Sequence, residues 1–497
     1  MGEIRKQSLS NVLISYSGLA IGFLNIMVLQ PWMLSQEEIG LTRVLYAIAV
    51  LGGTIFPLGI GGSIIKFLPS FRERKHGHHG FLGAIIAITL PIFVMLALTF
   101  LLTESSWLQQ YSDKSPLLLE YRNWLLPMIF VVGYANLFSI YLFADFQSVK
   151  VSWINDFFIR IYTTLITSLY FLHLTDQKGF FMLFAAGYFI QMLSLFYFAV
   201  KDNALETLRP DLSKWPPETR KKFASYTLAM TLVSISGMAL KNIDVILIGG
   251  MLSLELVAVY SLALLVAGFI ELPATSIGRI ADSRISDAHE RKEPEEIRTI
   301  YYSSVRVLTI TGMFLFTGIV TCISDLLQYL PPKFESAAFP TLLIGMGALS
   351  NMSTGINSSI LFYTSQVRTG TMLSTGLVIL MILLNLWLIP ALGVNGAALA
   401  NGLSFFLFNF SKWAIIRNKF GWNPFGIWFL HSAMLCAGLT ASLWLLPMGE
   451  IPAWLAIIIK GLIIIFSYYI FIDKTPYFSE VRGMKEKWMN KWIRKAS

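Results

Sequence analysis

The sequence predicts an all-α integral membrane protein of about 14 transmembrane helices, arranged as two parallel-repeat six-helix bundles plus two extra C-terminal helices. Three observations carry that expectation. Hydrophobic residues make up 55% of the 497-residue chain and charged residues 13%, against roughly a quarter charged in soluble domains. The apolar residues gather into runs of about 20, the length at which a helix crosses the hydrocarbon core. Short landmarks also recur at an offset near 218 residues.

Fourteen runs are long enough to be spans: 11–33, 40–66, 81–103, 122–146, 150–174, 179–200, 224–250, 256–281, 302–329, 337–363, 369–390, 394–416, 425–447 and 453–473. Backbone groups cannot stay unpaired in lipid, and the runs lack the two-residue alternation of barrel strands, so spans 1 to 14 are expected as helices. The 37 Phe, 19 Tyr and 13 Trp include the amphipathic aromatics that settle at membrane interfaces. Span 1 is too long for a signal-peptide core and ends without a small-x-small cleavage site, so it is expected to stay in the membrane. Cys322 and Cys436 both fall in apolar runs and offer no disulfide framework or thiolate cluster.

Lys and Arg set the orientation. With a cytoplasmic N-terminus, 28 of the 38 basic residues fall on the inside, including the groups at 201–222, 279–298 and 474–495. The outer side then holds Lys114, Arg122, Lys178 and Lys333 among several carboxylates. Both termini are expected inside, which requires an even number of spans. The net charge of +9 is therefore mostly a topology signal, and no nucleic-acid partner is expected.

The repeat begins with MLSQEEIG at 33–40 and MLSLELVA at 251–258. Glu73-Arg74-Lys75 returns as Glu290-Arg291-Lys292, Val149-Lys150 as Val367-Arg368, and Gly179 as Gly396, all in the same order. Six spans per half is an even number, so the halves share a direction and are related by an axis along the membrane normal, as in parallel-repeat transporters. The expected organisation is a six-helix lobe at 1–200, a basic cytoplasmic linker at 201–222, a second six-helix lobe at 223–418, and spans 13 and 14 with a basic cytoplasmic tail at 419–497. Two lobes suit alternating access about a shared site.

The six, six and two arrangement, the polar Ser35-to-Glu37 turn followed by IGLTR, the stretch PLGIGGSIIKFLPSF at 57–71 running into a basic loop, and KNIDVILIGG at 241–250 together resemble the bacterial polysaccharide flippases of the multidrug/oligosaccharidyl-lipid/polysaccharide exporter superfamily. The resemblance spans essentially the whole chain. It implies a flippase of the bacterial inner membrane that moves an undecaprenyl-pyrophosphate-linked oligosaccharide, such as an O-antigen or capsule repeat unit. It further implies contact with membrane lipids and work alongside a polysaccharide polymerase and glycosyltransferases. One departure is that Lys241 and Asp244 of span 7 answer to apolar Phe23 and Ile26 in span 1, so a charged lining would be unequal between the halves.

Charges inside a membrane are functional candidates by default, apart from those near helix ends that snorkel. With the loops set aside, Arg43, Arg160, Lys241, Arg306, Lys412 and Lys460 remain. Arg160 lies eleven residues into span 5, about 16 Å along a helix, hence near the midplane. Its planar fork suits phosphate oxygens; pairing with Asp156, one turn earlier, is the structural alternative. Lys241 and Asp244 stand at i, i+3 and either pair with each other or line a cavity, with proton coupling a role for Asp244. Arg43 begins the outer half of span 2 and can meet a head group leaving the cavity. Arg279, Asp282 and Arg284 gather near Glu271 where span 8 meets the cytoplasm, either to capture an anion or as ordinary positive-inside charge. The polar run of span 10, including Ser350, Asn351, Ser353, Thr354, Asn357, Ser358 and Ser359, offers contacts to sugars. Lys412 and Lys460 are expected to snorkel or mark span ends.

HGHHG at 76–80 lacks carboxylates at fixed spacing and is expected as a solvated loop, with no metal site. Gly59, Gly61 and Gly62 do not open a strand-turn-helix, so they are expected to serve close helix packing or a flexible span 2. No nucleotide-binding motif or nucleophile constellation is visible. No cofactor and no enzymatic activity are expected, and an ion gradient, the membrane potential or the substrate gradient would supply the energy. Two relatives of the leading reading stay open: a flippase for lipid-linked peptidoglycan precursors and a drug/cation antiporter. Antiporters of the superfamily typically have twelve spans and poised acids, and span 1 here has none. A membrane glycosyltransferase or ligase would need catalytic carboxylates or a large outer domain, for which the loop at 104–121 is too short.

Overall fold

The structure is a computed structural model that describes residues 14–478, except 72, 202–203, 211–214, 365–366 and 447–450. Two compact units are present, Met1–Ala258 and Val259–Ser497. All regular elements among the described residues are helices.

In the first unit, span 1 is α1 (Ile14–Met33). Span 2 is two helices, α2 (Gln36–Ile55) and α3 (Ile60–Phe71). Then follow α4 (Phe81–Ser112), α5 (Leu125–Ala144), α6 (Ile159–Phe171), α7 (Gln177–Val200) and α8 (Pro217–Met251). Ser35 starts α2 through a capping box: its hydroxyl accepts the Glu38 N–H, and the Glu38 carboxylate accepts the Ser35 N–H at 2.9 Å. The break between α2 and α3 sits at Leu58 and Gly59, both with positive φ. A Cβ on Gly59 would lie 2.5 Å from the Thr231 nitrogen of α8, so glycine is needed there on two counts. The Thr231 hydroxyl donates to the freed Leu58 carbonyl at 2.7 Å, which satisfies the interruption from a neighbouring helix. The core of this unit is aromatic, with Phe56, Phe81 and Tyr141 almost fully buried.

Span 8, whose first residues up to Ala258 belong to the first unit and the rest to the second, is α9 (Leu254–Gly268) and α10 (Leu272–Glu290), joined by the 3₁₀ turn Phe269–Glu271. Next come α11 (Pro294–Leu327), α12 (Ala338–Ser353), α13 (Asn357–Tyr363), α14 (Val367–Leu392), α15 (Val394–Phe420), α16 (Ile427–Leu445) and α17 (Ala453–Lys474). Both α16 and α17 pack on α11. Thr317 of α11 reaches Tyr468 at 3.2 Å, and Lys460 of α17 donates to Asp325 at 2.6 Å.

Eleven helices among the described residues are long and apolar enough to cross a membrane. The runs expected as spans 5, 10 and 12 are helical but are not among them. Span 5 opens with the π-helical stretch Trp153–Phe158, span 10 breaks between α12 and α13, and α15 carries Asn401, Asn409 and Lys412. These three polar or interrupted helices are the ones that carry much of the candidate chemistry.

Two expectations are corrected. Lys412 and Lys460 do not snorkel: they are 2% and 6% exposed, because each has an internal acceptor. The HGHHG segment is not a freely solvated loop. It is a turn in which Gly77, His78, His79 and Gly80 all have positive φ. His78 is buried with Nε2 3.5 Å from the Asp145 carboxylate, and the Glu73 carboxylate meets both His76 and His79. Left-handed backbone costs a non-glycine residue about 1–2 kcal/mol, and these side-chain contacts are what hold it. His76 holds the exposed Glu73 carboxyl below its usual range, with His79 adding to the effect.

Candidate functional site

The first unit builds its polar site where α6 meets α1. Ser15, Gly18, Gly22 and Asn25 are spaced to share one face of α1, the face packed on span 5. A Cβ on Gly18 would fall 2.1 Å from the Asp156 carbonyl oxygen, and one on Gly22 would sit 3.0 Å from the Arg160 Cδ. The two glycines therefore make room for the π-helical backbone and for the arginine stem that follows it. π-helical turns of this kind often mark functional positions.

Arg160 is not locked into an ion pair with Asp156. The Asp156 carboxylate takes the Ser15 hydroxyl at 2.6 Å. Arg160 Nη1 is buried without a hydrogen-bond partner among the described residues, and so is Asn25 Oδ1 on the same face of α1. Arg43 donates to the buried Gln30 Oε1 at 2.7 Å. Tyr46 lies within electrostatic range of both Arg43 and Arg160 and stacks on Tyr188 with ring centroids 5.4 Å apart. A second polar chain runs beside this group: Gln191 donates to Asn155 at 2.8 Å, and Asn155 to Ser139 at 2.9 Å. Two guanidinium groups, an aromatic pair and amide groups thus converge in one region of the unit.

Lys241 lies apart from that cluster. It is exposed and lines a cavity of about 340 Å³ beside the α2–α3 break, together with Thr54, Asn136 and Ser234. Asp244 is buried at 4% exposure. Gly237, one turn before Lys241, has open space where a Cβ would stand.

The second unit has its own polar site at two helix breaks. Glu271 ends the turn between α9 and α10 and accepts from Asn351 Nδ2 at 3.0 Å. A cavity of about 300 Å³ is lined by Glu271, Asp282, Asn351, Ser358 and Ser359. Lys412 reaches in from α15, donating to the Ser358 hydroxyl at 2.9 Å and lying 4.1 Å over the Phe408 ring. Asn409 donates to Ser350 and accepts from Thr354, which ties α15 to α12. Asn357 opens α13 at 1% exposure, and neither polar atom of its side chain has a partner among the described residues. Discontinuous helices gather ligand-binding groups in many transporters. The side chain of Arg279 lies outside the described residues.

Sequence reasoning singled out Arg160, Arg43, Lys241, Asp244, Asn351 and Asn357, and the structure brings Arg43 and Arg160 together. It took Lys412 for a snorkelling or span-end lysine, and it missed Glu271 as the Asn351 acceptor and the Tyr46–Tyr188 stack. Lys412 carried a usable signal: a lysine inside an apolar run one helical turn from Phe408 and three residues from Asn409.

The second unit also contains an apolar groove of about 820 Å³ between α11, α12, α15 and α16. Phe316, Met346, Phe410, Phe429 and Trp444 line it, and Ser350, Thr354 and Asn409 stand at its polar end.

Two solved structures share this fold. The chain is similar to the lipid II flippase MurJ in an inward closed conformation, with TM-score 0.69, 14% identity, and coverage of 93% of this chain and 98% of that one. It is also similar to an inward-facing multidrug resistance MATE family transporter of the MOP superfamily, with TM-score 0.61, 13% identity, and coverage of 86% and 99%. No curated protein matches the chain. The model of the family described as polysaccharide biosynthesis protein matches residues 4–279, more than half of the sequence. The chain belongs to that family and is a multi-pass membrane protein.

Proposed function

We propose that the protein is a flippase for undecaprenyl-pyrophosphate-linked oligosaccharides, acting by alternating access in the bacterial cytoplasmic membrane for O-antigen or capsule synthesis. One observation carries the reading: Arg160 Nη1 is buried without an acceptor among the described residues while the neighbouring Asp156 carboxylate is bonded to Ser15. A cation in that setting has an open coordination for phosphate oxygens, which a planar fork accepts in pairs. Arg43 is the second cation of the group. The amide and hydroxyl groups around Asn351 and Ser358 suit sugar hydroxyls. The long apolar groove beside α16 suits a polyprenyl chain. Both termini face the cytoplasm in this reading, no cofactor takes part, and an ion gradient or the membrane potential drives the cycle. A polymerase and glycosyltransferases would act on either side of the step.

The likeness in fold to a lipid II flippase over nearly the whole chain favours a second reading, in which the cargo is a lipid-linked peptidoglycan precursor. The two share the polyprenyl-pyrophosphate and differ in the sugar. Deleting the gene and extracting the lipids separates them. The first reading expects lipid-linked oligosaccharide to build up on the cytoplasmic side with cell-wall synthesis intact. Build-up of peptidoglycan precursor with normal surface polysaccharide would overturn it.

A further inference from the structure

A second cavity of the first unit has a chemistry that the transport reading does not use. It has a volume of about 550 Å³ and lies between the start of α4, the α2–α3 break and α8. Its walls are apolar: Leu58, Ile88, Ile92 and Leu228 run along it, and Ile88 and Leu228 are exposed at its edge. From Ala84 to Ile92 on α4, and from Arg220 to Leu228 on α8, the lining covers about 12 Å of helix. That is close to the thickness of one leaflet, about half of a 30 Å core.

Two donor groups, the Arg220 guanidinium and the Trp215 indole, line one end. The Arg220 Nε–H donates to the Trp215 carbonyl at 2.6 Å, which fixes the guanidinium at the mouth. Arg220 has no ion pair among the described residues, whereas the neighbouring Lys222 is taken by Glu218 at 2.7 Å. Trp215 is 4% exposed, and its indole nitrogen has no hydrogen-bond partner among the described residues. Phe71, Phe81 and Phe223 pack around the indole and set its position. A buried donor without an acceptor is costly, and a cation beside it that has no ion pair among the described residues attracts an anionic acceptor.

We infer that this groove is a binding site for an anionic glycerophospholipid of the leaflet facing the 201–222 segment. The phosphodiester accepts from Arg220 and Trp215, and one acyl chain lies along Leu58, Ile88 and Leu228. Charge selects this occupant. One guanidinium without an ion pair among the described residues matches the single negative charge of a phosphodiester, and zwitterionic lipids bring a cation that Arg220 would repel. A diphosphate carrier lipid would bring more charge than Arg220, the one cation among the described lining residues, balances.

The test uses the full chain in proteoliposomes containing trace phosphatidylglycerol or phosphatidylcholine with a diazirine on one acyl chain. Irradiation and peptide mapping then locate the adducts. Phosphatidylglycerol should label the 84–92 and 223–228 peptides several-fold more than phosphatidylcholine, and Arg220→Gln should bring the two to the same level. Ala224→Trp or Ala87→Trp, which fill the groove from opposite walls, should each remove labelling there while adducts elsewhere persist. Equal labelling of the wild-type protein by both lipids would mean ordinary bilayer contact and would overturn the proposal. Displacement of the phosphatidylglycerol adducts by a short polyprenyl diphosphate at trace concentration would also overturn it, assigning the groove to the carrier lipid. The comparison on the wild-type protein requires no variant to fold.

Discussion

Ser35 and Ser253 make the same hydrogen bond at two positions 218 residues apart: each hydroxyl accepts the N–H three residues on, from Glu38 at 3.2 Å and from Leu256 at 3.4 Å. The recurring MLS-x-E letters are therefore a recurring helix cap. Loss of such a cap costs about 1 kcal/mol. Ser35→Ala should lower the melting temperature more than Ser253→Ala, because only Ser35 has the reciprocal Glu38 bond of a capping box. Equal shifts would show that the box adds nothing.

The close approach of α1 and span 5 predicts a contrast between two glycines. Gly18→Ala forces a Cβ to 2.1 Å from the Asp156 carbonyl oxygen, so the helices must separate. Overpacking of this kind costs about 1–3 kcal/mol, and thermal unfolding in detergent should show it. Gly237→Ala places its Cβ in open space and should change stability by no more than the small gain expected of alanine in a helix. A stable Gly18→Ala protein would contradict the packing described for α1.

Lys460 and Asp325 form a buried pair at 2.6 Å, with the lysine also donating to the Thr321 carbonyl at 3.0 Å. Removing one partner of such a pair costs about 3–5 kcal/mol, whereas replacing both with apolar residues is often neutral. Lys460→Met should therefore reduce the amount of folded protein sharply, and Lys460→Met with Asp325→Leu should recover it with transport intact. Loss of transport in a well-folded double variant would give the pair a functional role instead.

The turn at 73–80 should respond to acid. Glu73 has its carboxyl lowered from 4.5 by His76 and His79, so its contribution is present above that unfolded-state value and is lost as pH falls through the folded one. The group is exposed, so the effect is confined to the turn. Amide exchange at 77–80 should quicken below about pH 4.5 in the wild-type protein, and Glu73→Gln should be fast at every pH. The same pH profile in both proteins would contradict the link.

Most of the helices were legible because a 20-residue apolar run in lipid has few alternatives to a helix. The breaks were harder to read. Gly59 hinted at one, but the compensating Thr231 hydroxyl is 173 residues away. Arg160 and Arg43 stood out as charges in apolar runs, whereas their convergence on Tyr46 depends on how α2 and α6 are packed. Lys412 and Lys460 were misread because a lysine near a span end has two fates, snorkelling or an internal acceptor. Only the fold places Ser358 and Asp325 beside them. The HGHHG turn was misread for the same reason, since Asp145 lies far along the chain from His78.

The central claim is that the Arg160 guanidinium, whose Nη1 has no hydrogen-bond partner among the described residues, receives the pyrophosphate of a lipid-linked oligosaccharide. It is tested most directly by flipping of a fluorescent polyprenyl-pyrophosphate oligosaccharide in proteoliposomes, read by quencher accessibility at matched amounts of folded protein. Wild-type protein should flip the lipid, Arg160→Lys should retain part of the rate, Arg160→Ala should lose at least about tenfold, consistent with one charge-assisted contact of about 1.5–3 kcal/mol, and Asp156→Asn should stay near wild type. An Arg160→Ala protein that flips the lipid at the wild-type rate would contradict the account.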